Sequence, residues 1–207
     1  MSSDAETPHH FYGSRLPEQF NRALREQERR VEAAQRLLDG MRAVRATIRI
    51  EVRGEGGGTF FLNVERGVMA AGDSPAQPPF LAVIQDRAAF ERLAREAGDS
   101  ALGMLGGLSG LAGEMKLTQA RIDNLKGVRG SLHFEVTGAD GFALLTQFGD
   151  GPVADPPTTT IRVDPETYAA LRSGALDPQQ AFMSGKIQVE GDMQLAMQLA
   201  LAALSPD

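Results

Sequence analysis

The chain has 207 residues, of which 42% are hydrophobic and 23% charged, with a net charge of −6 and no cysteine. That length buries a sound core in one large domain or two small ones, and the lack of cysteine excludes disulfides, thiolate catalysis and cysteine-ligated metals. The acidic balance argues against a non-specific nucleic-acid footprint and against electrostatic docking to anionic membranes, and no run of 18 or more apolar residues is present to span a bilayer.

Residues 1–16 are polar and aperiodic and lack the apolar core of a secretory signal, so they read as a flexible tail on a cytoplasmic protein. His9 and His10 are adjacent in that tail and do not make a metal site by themselves. Pro17 then opens a long helix, with Phe20, Leu24, Val31, Ala34, Leu38 and Met41 on one stripe broken only at Gln27. Packing of that stripe on the protein's own sheet is the favoured reading; a coiled-coil-like dimer arm is the other.

A hairpin comes next. Ile48, Ile50 and Val52 alternate with Arg49 and Glu51, a glycine-rich turn spans 54–58, and Phe60 to Glu65 returns the chain. The turn has no following Lys-Ser/Thr and opens no helix, which sets a phosphate-loop reading aside. A Pro-rich link leads to a strand at Phe80 to Ile84 and a helix at Arg87 to Ala97. Residues 99–116 carry five glycines among leucine and methionine, and read as a loosely helical buried crossover or as an apolar lid.

The same order then recurs. Val44 to Gly54 aligns with Val128 to Gly138, and Pro78 to Leu93 aligns with Pro156 to Leu171, bringing Asp86 onto Asp164 and Phe90 onto Tyr168. Two separated blocks in one order predict an internal duplication. Both aspartates stand before helices, where they serve as caps.

Catalytic chemistry is sparse. His133 falls with Ser131, Glu135 and Thr137 on the strand face opposite Leu132, Phe134 and Val136, and no nucleophile elbow accompanies it. Glu51 and Glu135 hold equivalent surface positions in the two copies rather than converging in one cleft.

The C-terminal stretch carries the richest pattern. Gly185 and Gly191 bracket a strand in which Ile187 and Val189 alternate with polar residues, Asp192 is placed to cap a final helix, and the sequence of that helix, MQLAMQLALAAL, is polar only at Gln194 and Gln198. A helix so apolar around its circumference must be covered on several sides, by protein or by an apolar ligand.

With Asp177 to Met183 before it, the string DPQQAFMSGKIQVEGDMQLAMQLALAAL resembles the C-terminal signature of the sterol carrier protein 2 (SCP2) family. The resemblance covers roughly 117–204. It implies an α+β, SCP2-like fold in which helices cover a curved, largely antiparallel sheet, here in two repeated halves. The expected organisation is a tail at 1–16, a helix plus incomplete half at 17–116, and a half with the complete signature at 117–207.

The resemblance further implies non-enzymatic binding, with or without transfer, of a fatty acyl, isoprenoid or sterol ligand. The tunnel for that ligand is closed by the last helix and lined by Phe182, Met183, Ile187, Val189, Met193, Ala196, Met197, Ala200 and Leu201. Methionine adapts to irregular apolar partners, which suits such a lining. No catalytic residue, metal or cofactor is expected, and the lipid is the expected partner, with transient membrane contact. The alternative is a structural or adaptor protein, a homodimer or an accessory to a lipid or quinone biosynthetic enzyme.

Overall fold

The computed structural model describes residues 7–97, 117–149 and 151–204. The glycine-rich stretch at 99–116 lies outside the described residues. The chain divides into two compact units, Met1–Gly40 and Met41–Asp207.

Pro8–His10 form a single helical turn, Phe11–Arg15 a π turn, and Leu16–Arg42 the long helix α1, which makes up the rest of the first unit and ends two residues beyond it. The expected irregular tail is therefore helical from Pro8 onward. Proline at the first helical position loses no needed donor, and the Thr7 hydroxyl accepts the His10 N–H at 3.2 Å. No residue of α1 is buried, and its apolar stripe is exposed, Phe20 and Val31 at 68% each.

The second unit is α+β. Eight strands make one sheet: β1 (Arg45–Arg53), β2 (Gly58–Glu65), β3 (Val68–Gly72), β4 (Pro79–Asp86), β5 (Gly130–Val136), β6 (Phe142–Phe148), β7 (Thr159–Val163) and β8 (Ile187–Gly191). Their order across the sheet is β3-β2-β1-β4-β6-β5-β7-β8. The strand β3 went unpredicted. Its short, alanine-rich sequence has little strand character, and the turn before it places Arg66, a non-glycine residue, at φ +52° beside Gly67 at +76°; this tight reversal pairs Glu65 with Val68.

The triplets β2-β1-β4 and β6-β5-β7 have the same pairing pattern. Each joins an antiparallel hairpin to a parallel third strand. Ile48 faces Leu62 on one side and Leu81 on the other, and Leu132 faces Thr146 and Thr159. In the two hairpin turns Gly57 N–H donates to Gly54 O at 3.1 Å and Gly141 N–H to Gly138 O at 3.0 Å. A Cβ on Gly57 would stand 2.1 Å from Val52 O, and one on Gly141 2.2 Å from Val136 O. Antiparallel pairing of β4 with β6 joins the triplets.

Among the described residues five helices belong to this unit: α2 (Arg87–Ala97), α3 (Gln119–Lys126), α4 (Pro165–Arg172), α5 (Pro178–Met183) and α6 (Met193–Leu204). Asp86 and Asp164 cap α2 and α4 as expected, Asp86 accepting from Ala89 N–H at 2.7 Å and Asp164 from Thr167 N–H at 2.8 Å. The Thr167 backbone and hydroxyl donors hold the Asp164 carboxyl below its ordinary range.

Ala89 and Leu93 of α2, Ile122 and Leu125 of α3, Tyr168 and Leu171 of α4, Ala181 of α5, and Leu195 and Leu199 of α6 join strand residues such as Ile48, Val83, Phe134 and Leu144 in one buried cluster. Glu96 ties α2 to α4, accepting from Tyr168 Oη at 3.1 Å and Arg172 Nη1 at 2.6 Å, while Arg92 Nε of its own helix donates at 3.0 Å.

Gly57→Ala and Gly141→Ala are each expected to lower stability by about 1–3 kcal/mol through overpacking against backbone, whereas Gly151→Ala, with nothing within 4 Å of its added Cβ, changes it by less than about 0.5 kcal/mol; denaturant titration of the three variants measures this. Burial, and then the Glu96 carboxylate, raise the Tyr168 phenol above its ordinary value. The folded state therefore holds that proton more tightly than the unfolded chain. Its stabilisation is complete below about pH 10, the unfolded value, and is lost as pH rises through the folded one, so Tyr168→Phe melts with a shallower alkaline decline than the parent chain.

Candidate functional site

The segment from Asp177 to Leu204 is built from five local rules in succession. Asp177 accepts the Gln180 N–H at 2.9 Å and Pro178 takes the first helical position, which starts α5. Gly185, at φ +72°, ends it. Its N–H donates to Phe182 O at 3.0 Å and the next, Lys186 N–H, reaches back to Ala181 O at 2.9 Å, a Schellman cap that needs a left-handed residue at Gly185.

Strand β8 then runs antiparallel to β7, with Ile187 opposite Val163 and Val189 opposite Ile161. Both side chains lie on the core face of the sheet, Ile187 buried and Val189 partly so. On the other face Arg162 donates to Glu135 at 2.8 Å and pairs with Glu190 at 2.6 Å, linking β5, β7 and β8. The two carboxylates, Glu190 foremost, raise the Arg162 pKa above its ordinary value and keep it charged.

The strand ends in a close approach. A Cβ on Gly191, at φ +90°, would lie 2.4 Å from Thr158 O. Asp192 is then fastened on both sides, its N–H donating to Thr158 O at 3.0 Å and its carbonyl accepting from Thr159 Oγ1 at 2.8 Å. Its carboxylate accepts from Gln194 N–H at 2.8 Å and Leu195 N–H at 3.1 Å, which makes it the cap of α6.

Helix α6 therefore leaves the sheet in a set direction and with a set rotation. Leu195 and Leu199, each 3% exposed, face the core. Met193 and Met197 lie on the opposite side, 43% and 61% exposed. Ala196 is half-buried, and the side chains of Ala200 and Leu201 lie outside the described residues. Before the strand, Phe182 and Met183 are exposed.

The residues singled out from sequence thus fall into two sets. Ile187 and Val189 join the core side of the sheet, while Phe182, Met183, Met193 and Met197 form apolar surface, the first two preceding β8 and the last two coming after it. The two leucines that anchor α6 were missing from that set. Their signal was faint because the helix has so little polar surface to declare its rotation; the pairing of Gln194 with Gln198, one turn apart, is all that marks an outer edge.

His133 is half-buried, opposite Leu145 on β6 and Thr160 on β7. Ser131 departs from the expected exposed pattern. It is fully buried because it ties the strand end to Thr158, its Oγ accepting the Thr158 N–H at 3.0 Å and its N–H donating to Thr158 Oγ1 at 3.0 Å. Among the described residues no cluster of three His, Cys, Asp or Glu side chains is arranged to hold a metal, and no helix is long and apolar enough to cross a membrane.

Residues 115–203 match the SCP-2 sterol transfer family. Over 84 residues the chain is 30% identical to hydroxysteroid dehydrogenase-like protein 2 of Bos taurus, taking in 37% of this chain and 20% of that protein; it spans about a fifth of that relative's length. Similar solved structures include sterol carrier protein 2 like 2 of Aedes aegypti, at 22% identity over 54% of this chain and 90% of that one with a TM-score of 0.30. Sterol carrier protein 2 of Yarrowia lipolytica, in its apo form, matches at 16% identity over 47% of this chain and 85% of its own, also with a TM-score of 0.30.

The rotation of α6 is open to a paired substitution. Leu195→Ala costs about 2–5 kcal/mol, the range for emptying a buried leucine site, whereas Met197→Ala stays within about 0.5 kcal/mol of the parent chain. Thermal melts of the two variants distinguish this arrangement from one in which the methionines face inward.

Proposed function

We propose that the SCP2 domain at residues 115–203 binds, and passes on, an apolar lipid-like ligand of the fatty acyl, isoprenoid or sterol class, without catalysis. The observation that carries the reading is the helix that closes the family's signature. Helix α6 is held by two leucines and presents Met193 and Met197 outward, where unpaired apolar surface gains from being covered.

In this proposal Phe182, Met183, Met193 and Met197 form the surface a lipid meets first, and Ile187, Val189, Ala196, Ala200 and Leu201 complete a tunnel beneath α6. No charged anchor is required. Each buried CH₂ contributes about 0.8 kcal/mol, so about ten of them offer about 8 kcal/mol before the costs of association.

We also infer that the first triplet of strands is a second, incomplete copy of the domain. Matched strand registers, matched turn glycines and the cap pair Asp86 and Asp164 support it. Among the described residues only the second copy continues into a strand and helix like β8 and α6. One ligand per chain is the expected stoichiometry.

Native mass spectrometry of gently purified protein, with organic extraction and lipid identification, tests this directly. One lipid is expected per chain. A chain that stays empty after incubation with fatty acids, sterols and isoprenoid quinones overturns the reading and leaves assembly as the role of the fold. Met197→Asp is expected to weaken uptake at least tenfold, about 1.4 kcal/mol, with an unchanged melting temperature, since its side chain is 61% exposed.

A further inference from the structure

We propose that helix α1 pairs with the same helix of a second copy of this chain, in parallel and in register, as a short two-stranded coiled coil. This goes beyond ligand binding and rests on a different part of the molecule. The apolar stripe of α1 repeats with alternating steps of four and three: Phe20, Leu24, Gln27, Val31, Ala34, Leu38, continuing at Met41. That is the heptad spacing, with Leu24, Val31 and Leu38 at one seam position and Phe20, Gln27, Ala34 and Met41 at the other. Such a seam is matched by another helix, whose side chains enter the holes between its own.

Two of the positions turned away from the seam are charged throughout. Arg22, Arg29 and Arg36 fall at the outermost position of successive heptads, and Glu18, Arg25, Glu32 and Asp39 occupy the position next after Leu24, Val31 and Leu38 or their equivalent. Meanwhile the seam residues Phe20, Leu24 and Val31 are exposed and no residue of the helix is buried. A lone helix with so exposed an apolar stripe gains its stability from a partner face.

Three features select a second copy as that partner. Gln27 is the one polar residue in the seam. In a parallel pair in register it meets Gln27 of the other copy, and the two amides can hydrogen-bond each other; in an antiparallel pair it meets Val31 or Leu38 and is left unsatisfied. The flanking positions of a parallel pair bring Ala23 to Glu28, Arg30 to Gln35 and Leu37 to Arg42, with no like charges opposed. Finally, the outer row of Arg22, Arg29 and Arg36 is flanked by Glu18, Glu26, Glu32 and Asp39, so that face carries both signs rather than the uniform positive charge by which an amphipathic helix lies on an anionic lipid surface.

The test uses the full chain and light scattering coupled to size exclusion. The parent chain is expected at the mass of two chains. Val31→Asp is expected at the mass of one with its sheet intact by circular dichroism, and Arg29→Glu, on the outer face, remains at two. Because the chain has no cysteine, Leu24→Cys reports orientation: a parallel pair cross-links on oxidation, since the two Leu24 sites face each other. A monomeric parent chain, a Val31→Asp variant that stays dimeric, or a Leu24→Cys dimer that does not cross-link overturns the proposal. So does a monomer that co-sediments with phosphatidylcholine vesicles through α1, which would assign the stripe to a lipid surface.

Discussion

The pairing of β4 with β6 is the contact on which the second unit depends. Without it the two triplets would each end in an open edge, a row of unsatisfied N–H and C=O groups beside a strongly apolar strand. Among the described strands β4 alone is buried along almost its whole length, as expected of a strand with neighbours on both sides and cover on its faces. Joining the triplets makes one core out of two small ones, so α2 and α4, which occupy equivalent places after β4 and β7, come close enough for Glu96 to bind Tyr168 and Arg172. A larger shared core buries a greater fraction of apolar surface than two separate ones of half the size.

At the β8 edge of the sheet the same economy of backbone groups controls the last helix. Gly191 allows β8 to press against Thr158, and Asp192 then satisfies donors and acceptors both of the sheet and of the new helix. The string that resembles the SCP2 signature is thus a chain of geometrical necessities: a cap, a left-handed glycine, a strand, a glycine without room for a side chain, and a second cap. Once these are met, the rotation of α6 is set by which side chains reach the core, and the methionines are left outside. The fold therefore delivers an adaptable apolar surface to one defined place. That is the physical basis for reading this region as a lipid site.

The long helix α1 obeys a different logic, because no described residue of its own unit covers it. Its apolar stripe stays exposed, and the spacing of that stripe is the basis of the pairing proposed for it. The proposed ligand site and the proposed pairing helix thus draw on different stretches of the chain, and variants of one leave the residues of the other unchanged.

The strands of the two hairpins, the aspartate caps and the strand and helix at the C-terminus were legible in the residues, since alternation, turn glycines and capping side chains are local and act within a few positions. The aligned blocks that begin at Val44 and Val128 fall on β1 and β5, which have the same pattern of neighbours. The edge strand β3 was not legible, because a weak strand sequence gains its order from pairing with β2, a contact outside its own residues. Nor did the residues reveal which face of α6 turns inward: apolar almost all round, it presents several equivalent rotations until Asp192 and the core choose Leu195 and Leu199. Ser131, read as surface, is buried through hydrogen bonds with Thr158, far away in sequence. Short-range rules, in other words, were written in the chain, while burial and rotation were decided only in three dimensions, because they depend on which distant surfaces meet.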